Sequence, residues 1–190
     1  MQFIFLGPPG AGKGTQASIL AERWHIPHIS TGDILRQEIA GKTSLGIQAR
    51  THVEAGELVP DILVMALMRE RFSAPDMKSG WILDGFPRTL SQAQALDELL
   101  EIVRHPHPTV VYFEVTPEHL VERMLARGRL DDTEETIRRR LEVYREDTAP
   151  LIDFYQRRNC LTAINGNYAL DEVANTLQES LLQNQHSVLA

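Results

Sequence analysis

The sequence predicts an α/β fold, a parallel sheet covered by helices on both faces. Three observations predict it. Short apolar runs alternate with stretches of helical periodicity, a glycine-rich turn joins the first run to the first helix, and no internal repeat or low-complexity linker divides the chain. Strands that alternate with helices imply right-handed crossovers and hence parallel pairing. At 190 residues, the chain is long enough for one well-buried core with small insertions.

Five strands are expected. Gln2–Leu6 is an apolar run, followed by the Gly/Pro turn and a helix to about Trp24. A short strand lies near His28–Ile29, then helical stretches around Ile34–Ala40 and Leu45–Gly56, broken by Gly41 and Gly46. Pro60 suits a helix start, where its missing N–H is not needed. Leu63, Leu67 and Arg71 follow at helical spacing, with Val64 and Met68 on the same side. Trp81–Leu83 is a strand that ends at Asp84, and Leu96, Leu99, Leu100 and Val103 mark the apolar face of the next helix. Thr109–Val115 is another strand, and Pro117 opens the helix that carries Arg123 and Arg127. A polar turn, Gly128–Asp132, leads to a long helix kinked at Pro150, then a strand at Leu161–Ile164 and a helix at Leu170–Leu182.

Composition narrows the function classes. A formal charge of −7 argues against a general nucleic-acid binder, which must neutralise many phosphates, but leaves room for a local basic cleft. Only Lys13, Lys42 and Lys78 are lysines among nineteen Lys plus Arg, and arginine's planar fork suits phosphate. Cys160 is the single cysteine, so neither an internal disulfide nor a multi-cysteine structural zinc site is available, as suits a reducing compartment. No basic segment precedes the first apolar run, and no stretch approaches the ~20 apolar residues of a membrane span. A soluble, cytoplasmic monomer without nucleic-acid or membrane partners is expected.

The turn Gly7-Pro8-Pro9-Gly10-Ala11-Gly12-Lys13-Gly14-Thr15 carries the strongest chemical signal. Its glycines let successive N–H groups of Gly10, Ala11, Gly12, Lys13, Gly14 and Thr15 point at one anion, and the helix N-terminus adds positive dipole. Lys13 would neutralise the β- and γ-phosphates. This is a P-loop NTPase pattern with one departure: Gly14 follows the lysine where Ser or Thr is usual, which puts a hydroxyl ligand for magnesium in doubt. Asp84-Gly85-Phe86-Pro87-Arg88 is the second signal. Its strand delivers Asp84 to the carboxyl end of the sheet, where a carboxylate can hold water on Mg2+. Gly85 allows close approach, and Arg88 can clamp a phosphate.

With glycine after the lysine, the loop resembles that of nucleoside monophosphate kinases, and the chain is similar from Phe3 to about Leu181 to short-lid adenylate kinases. The resemblance implies reversible Mg2+-dependent transfer, ATP + AMP = 2 ADP, in nucleotide homeostasis and purine salvage. It also implies a core at 1–29, 60–126 and 133–190, an AMP-binding insertion at 30–59 and a lid at 127–132. Ser30-Thr31-Gly32-Asp33 with Arg36 is similar to the start of that insertion, which implies Thr31 on the adenine side of AMP and Arg36 on its phosphate; Ser30 or Thr31 also suits a helix cap. Glu57, Leu58 and Val59 resemble the segment beside the AMP base and ribose, and Gly85, Phe86, Pro87 and Arg88 the AMP-phosphate loop. Gln92 resembles a glutamine that reads adenine, although Thr89-x-x-Gln92 also fits a capping box.

Arg127-Gly128-Arg129-Leu130-Asp131-Asp132 resembles a lid, with Arg127 toward ATP and Arg129 toward the phosphates; Arg140 matches a further phosphate arginine. Arg138 and Arg139 point elsewhere on the same helix and are expected at the surface. Asp132 with Glu135 also fits an N-cap. With Gly128 alone between Arg127 and Arg129, the lid is shorter than in familiar members. This predicts a less complete closure, or helix movement in its place. Tyr168 stands where the family contacts ATP's adenine through backbone. His25 and His28 are expected to be structural. UMP/CMP kinase activity, a GTP donor and a non-catalytic ATP-binding module remain as alternatives; Thr31 and Gln92 favour adenine, and the retained arginines favour catalysis.

Overall fold

The computed structural model describes residues 1–129 and 132–188, with side chains as far as Leu182. Leu130 and Asp131 of the expected lid lie outside the described residues.

Five strands, β1 (Gln2–Leu6), β2 (His28–Ser30), β3 (Trp81–Asp84), β4 (Thr109–Glu114) and β5 (Leu161–Asn165), form one sheet in the order β2-β3-β1-β4-β5. Every pair is parallel. Period-two alternation sends Phe3 and Phe5 to one face and Ile4 and Leu6 to the other, so each face builds its own core. Ile82, Val111 and Phe113 join the first face, and Trp81, Leu83 and Val110 the second. Helices α1 (Lys13–Trp24), α6 (Pro117–Arg127) and α9 (Leu170–Val188) contribute apolar residues to the first core; α4 (Asp61–Phe72), α5 (Leu90–Ile102) and α8 (Pro150–Gln156) contribute to the second. The crossover rule therefore yields the layers that the alternation predicts. No helix among the described residues is long and apolar enough to cross a membrane.

Between β2 and α4 stands a helical hairpin, α2 (Thr31–Ala40) and α3 (Ser44–Ala55). Gly41 ends the first helix as expected, but Gly46 breaks nothing. It lies in the first turn of α3, where a Cβ would overlap the Glu38 backbone, so glycine is what lets the two helices approach. After α6, α7 (Glu134–Val143) begins with Thr133 as its cap, the hydroxyl accepting from Thr136 N at 3.2 Å. Asp132 is therefore not the N-cap. Arg127 and Arg140 draw its carboxylate away as an ion-pair acceptor. The kink expected at Pro150 is a π-helical turn, Tyr144–Thr148, closed by Ala149 N donating to Tyr144 O. Pro150 then opens α8.

Candidate active site

Parallel strands all present their carboxyl ends to one side, and there the structure holds a cleft of about 720 Å³. Its floor is the loop from Gly7 to Thr15 at the start of α1. Gly12 caps that helix without a side chain, which leaves the first-turn N–H groups directed at whatever enters. Lys13 Nζ donates to Gly7 O at 2.8 Å and Pro8 O at 2.9 Å, so the loop's own carbonyls aim the ammonium. Burial lowers its pKa to about 8. Asp84 opposes that shift, and Arg88, Arg140 and Arg127 add to it.

Asp84 ends β3 beside the loop. Burial alone would raise its carboxyl, but His28, Lys13 and Arg88 outweigh it and hold the pKa below the usual range. The strand register sets Asp84 next to Phe5, the last residue but one of β1, which brings the carboxylate to the lysine loop. A Cβ on Gly14 would stand 3.1 Å from Asp84 Oδ2. Glycine at that position lets the loop lie close against the carboxylate, where a Cβ would make a tight contact. His28 Nε2 stands 3.7 Å from Asp84 Oδ2, an electrostatic rather than a hydrogen-bonding distance, while Ser18 Oγ meets its Nδ1.

Arginines from four parts of the chain meet in this cleft: Arg36 from α2, Arg88 after β3, Arg123 and Arg127 from α6 with Arg129 just beyond it, and Arg140 from α7. Each is positioned by a partner. Arg36 Nη2 donates to Asp33 Oδ1 at 2.5 Å, and Arg129 Nη2 stands 3.6 Å from the same oxygen. Arg88 Nε donates to Gly85 O, and its carbonyl accepts from Thr148 Oγ1, the residue that the π turn delivers. Burial, then Arg140, lowers the Arg88 pKa to about 10, opposed by Asp84. Arg127 and Arg140 converge on Asp132 at 2.7 and 3.0 Å, and Asp132 side-chain exposure is 0%. Burial would raise the Asp132 pKa, but those arginines keep it low. Tyr168, at the cleft rim, is 54% exposed.

A smaller recess of about 60 Å³ opens beside the cleft and shares Arg36, Arg88 and Arg140 with it. Thr31, Glu57, Leu58, Val59, Gly85 and Gln92 line it. Thr31 Oγ1 donates to Gly85 O at 2.8 Å, while Ser30 serves as the cap of α2 by accepting from Asp33 N. Thr89 caps α5 by accepting from Gln92 N, as the capping-box spacing predicts; the Gln92 side chain departs from that motif and accepts from Arg88 N instead. Phe86 is 1% exposed and belongs to the core, whereas Pro87 lines the cleft.

Four participants lay outside the sequence reading. Arg123 lines the cleft and donates to Gly166 O, and its spacing of four from Arg127 was the available signal. His28 meets Asp84 only because β2 pairs with β3. Arg138 is exposed as expected, but Arg139 is half-buried and donates to Glu57 Oε1 at 2.6 Å, which ties α7 to the end of the α2–α3 hairpin. Asp61, after Pro60, accepts from Gln92 Nε2 at 2.7 Å.

A family model for adenylate kinase matches residues 5–160. Adenylate kinase 1 of Nostoc sp. strain PCC 7120 is 58% identical over 180 residues, 95% of this chain and 98% of that protein. Adenylate kinase 1 of Synechocystis sp. strain PCC 6803 is 54% identical over 93% of this chain and 94% of its own length. The adenylate kinase of Leptospira biflexa serovar Patoc is 48% identical over 95% and 99%.

Proposed function

The chain belongs to the adenylate kinase family, and from that membership we propose how its residues divide the work of the family's reaction. That reaction is the reversible phosphoryl transfer ATP + AMP = 2 ADP, and the protein is a nucleoside monophosphate kinase. One observation carries the assignment of roles: Lys13 and six arginines converge with Asp84 on a single cleft floored by a helix N-terminus.

ATP lies with its phosphates over Gly10, Ala11, Gly12, Lys13, Gly14 and Thr15, with Arg127 and the Tyr168 backbone toward its base. AMP lies in the insertion, residues 30–59, with its phosphate held by Arg36, Arg88, Arg129 and Arg140. Its base lies toward Thr31, Glu57, Leu58, Val59 and Gln92, and residues 85–88 lie beneath. The shared position of Arg36, Arg88 and Arg140 between cleft and recess supports this alignment. The recess is small, about 60 Å³, and movement of the α2–α3 hairpin on binding would enlarge it for a base.

An AMP phosphate oxygen attacks the γ-phosphorus in line as the bond to the bridging oxygen of ADP breaks. That oxygen is already anionic near neutral pH, so no general base is needed. Positioning and charge neutralisation do the catalysis, and exclusion of competing water over the phosphates falls to the side of the cleft that carries Arg127 and Arg129.

Magnesium fits the donor set. Among the described residues no three His, Cys, Asp or Glu side chains form a metal cluster. The carboxylate that faces the loop is Asp84, so we propose that nucleotide phosphates and water hold most of the ion's coordination shell and that Asp84 accepts from its water. When bound, it would lower the charge that opposes attack. Action as a cytoplasmic monomer completes the reading; both lobes of the site come from one chain, so no second copy is needed to build it.

Arg88→Ala tests the assignment. Loss of one charged contact to the transferring phosphate should lower kcat/KM by about 10²–10³, or roughly 3–4 kcal/mol, with a change of only a few degrees in melting temperature. An activity loss below tenfold, or one that simply tracks unfolding, rules the role out.

A further inference from the structure

Asp61 is not among the residues that line the nucleotide cleft, yet it meets Gln92, a polar side chain of the recess. It occupies the first turn of α4, directly after Pro60. Its Oδ1 accepts from Gln92 Nε2 at 2.7 Å, and its Oδ2 accepts from Ser91 Oγ at 2.5 Å and Thr89 Oγ1 at 3.5 Å. Gln92 is 2% exposed, and its Oε1 accepts from Arg88 N at 2.8 Å.

These contacts settle which way the carboxamide faces. A carboxylate only accepts and a backbone N–H only donates, so the amide nitrogen must lie toward Asp61 and the oxygen toward Arg88. Rotation of the amide by half a turn would set oxygen against carboxylate and NH2 against N–H, losing two hydrogen bonds and creating two repulsions in a buried place. Each end of the amide keeps one further valence, a lone pair on the oxygen and an N–H on the nitrogen. Together they form an acceptor and a donor in fixed order.

A 6-aminopurine offers the complement, an exocyclic N–H donor beside a ring-nitrogen acceptor, which a glutamine can bond twice. A 6-oxopurine offers the reverse, a carbonyl acceptor beside a ring N–H. An amide free to rotate could read either base; one held by Asp61 at its nitrogen and by Arg88 N at its oxygen reads one. We propose that Asp61 is a specificity-determining positioning residue, which locks the Gln92 amide and thereby makes the acceptor site select 6-amino over 6-oxopurine monophosphates. The proposal rests on the reading that Gln92 meets the acceptor base.

The experiment compares kcat/KM for AMP and for inosine monophosphate, with ATP as donor, in the wild type, Asp61→Asn and Gln92→Met. Asparagine has the same size but can present its NH2 to a rotated Gln92, so the repulsion at the nitrogen end disappears and Arg88 N alone opposes rotation. The Asp61→Asn protein should lose roughly tenfold or more of the AMP-over-inosine preference, mainly through KM for AMP, with KM for ATP unchanged. If the asparagine protein does not fold, Asp61→Ser, which can likewise donate, takes its place. Collapse of the preference in both Asp61→Asn and Gln92→Met supports the lock. Collapse in Gln92→Met with full preference in Asp61→Asn overturns the lock and leaves Gln92 as the reader. Full preference in Gln92→Met overturns the base contact itself, and the lock with it.

Discussion

Lys13 shows how one side chain depends on both its motif and its surroundings. The glycine-rich spacing marks it as the candidate phosphate cation, but burial, the loop carbonyls of Gly7 and Pro8 and the nearby charges set its chemistry. With its pKa lowered by burial to about 8, the ammonium of the free enzyme begins to lose its proton just above neutrality. ATP phosphates are already fully ionised there. The kcat/KM for ATP should therefore fall as pH rises through about 8, since that ratio reports the free enzyme, whereas the kcat profile should break at higher pH because bound phosphates hold the proton on. Stability has the opposite sign: the unfolded chain keeps that proton to a higher pH, so the nucleotide-free protein gains stability as pH rises above 8. A flat kcat/KM profile between pH 7 and 9 would remove Lys13 from this role. Gly14 and Asp132 were less legible. The sequence showed that glycine stood where a hydroxyl was usual, but only the pairing of strands shows that it lies against Asp84. Asp132 had the spacing of a cap, but Arg127, Arg140 and the Arg129 N–H hold its carboxylate instead of the first turn of α7.

Element boundaries followed local signals where those signals were unopposed. Gly41, Pro117 and the cap at Thr89 act as their residue types predict. Gly46 was misread because glycine's helix-breaking tendency is weak, roughly 1 kcal/mol, and close packing of α2 on α3 overrides it. Gly46→Ala tests that packing. Its Cβ would overlap the Glu38 backbone, and overpacking of this kind costs about 1–3 kcal/mol, or a fall of roughly 2–12 °C in melting temperature. Because the hairpin belongs to the proposed AMP side, KM for AMP should rise while KM for ATP stays within about twofold. An equal rise in both would mean that the hairpin serves the whole cleft. The π turn after α7 was legible only as a kink at Pro150, since its purpose is a distant contact, Thr148 with the Arg88 carbonyl.

At the scale of the molecule, the cleft and the recess share Arg36, Arg88 and Arg140. A ligand that spans them should gain from both. Two adenosines joined through five phosphates should bind one per chain and protect the fold by mass action. A thousandfold excess over Kd adds about 4 kcal/mol, which raises the melting temperature by roughly 8–16 °C and exceeds the effect of ATP or AMP alone at the same concentration. Two copies per chain in a calorimetric titration, or protection no greater than with ATP, would mean that the pockets are not aligned.

The sequence by itself determined the order of strands and helices, the lysine loop, and most of the arginines that now share the cleft. These depend on periodicity, spacing and residue chemistry, which are local along the chain. Tertiary structure alone decided which side chains hold those groups in place: His28 and Gly14 at Asp84, Asp132 between two arginines, Arg139 on Glu57, and Asp61 on Gln92. Such partners are chosen by the pairing of strands and the packing of helices, across separations at which linear order carries no geometric information.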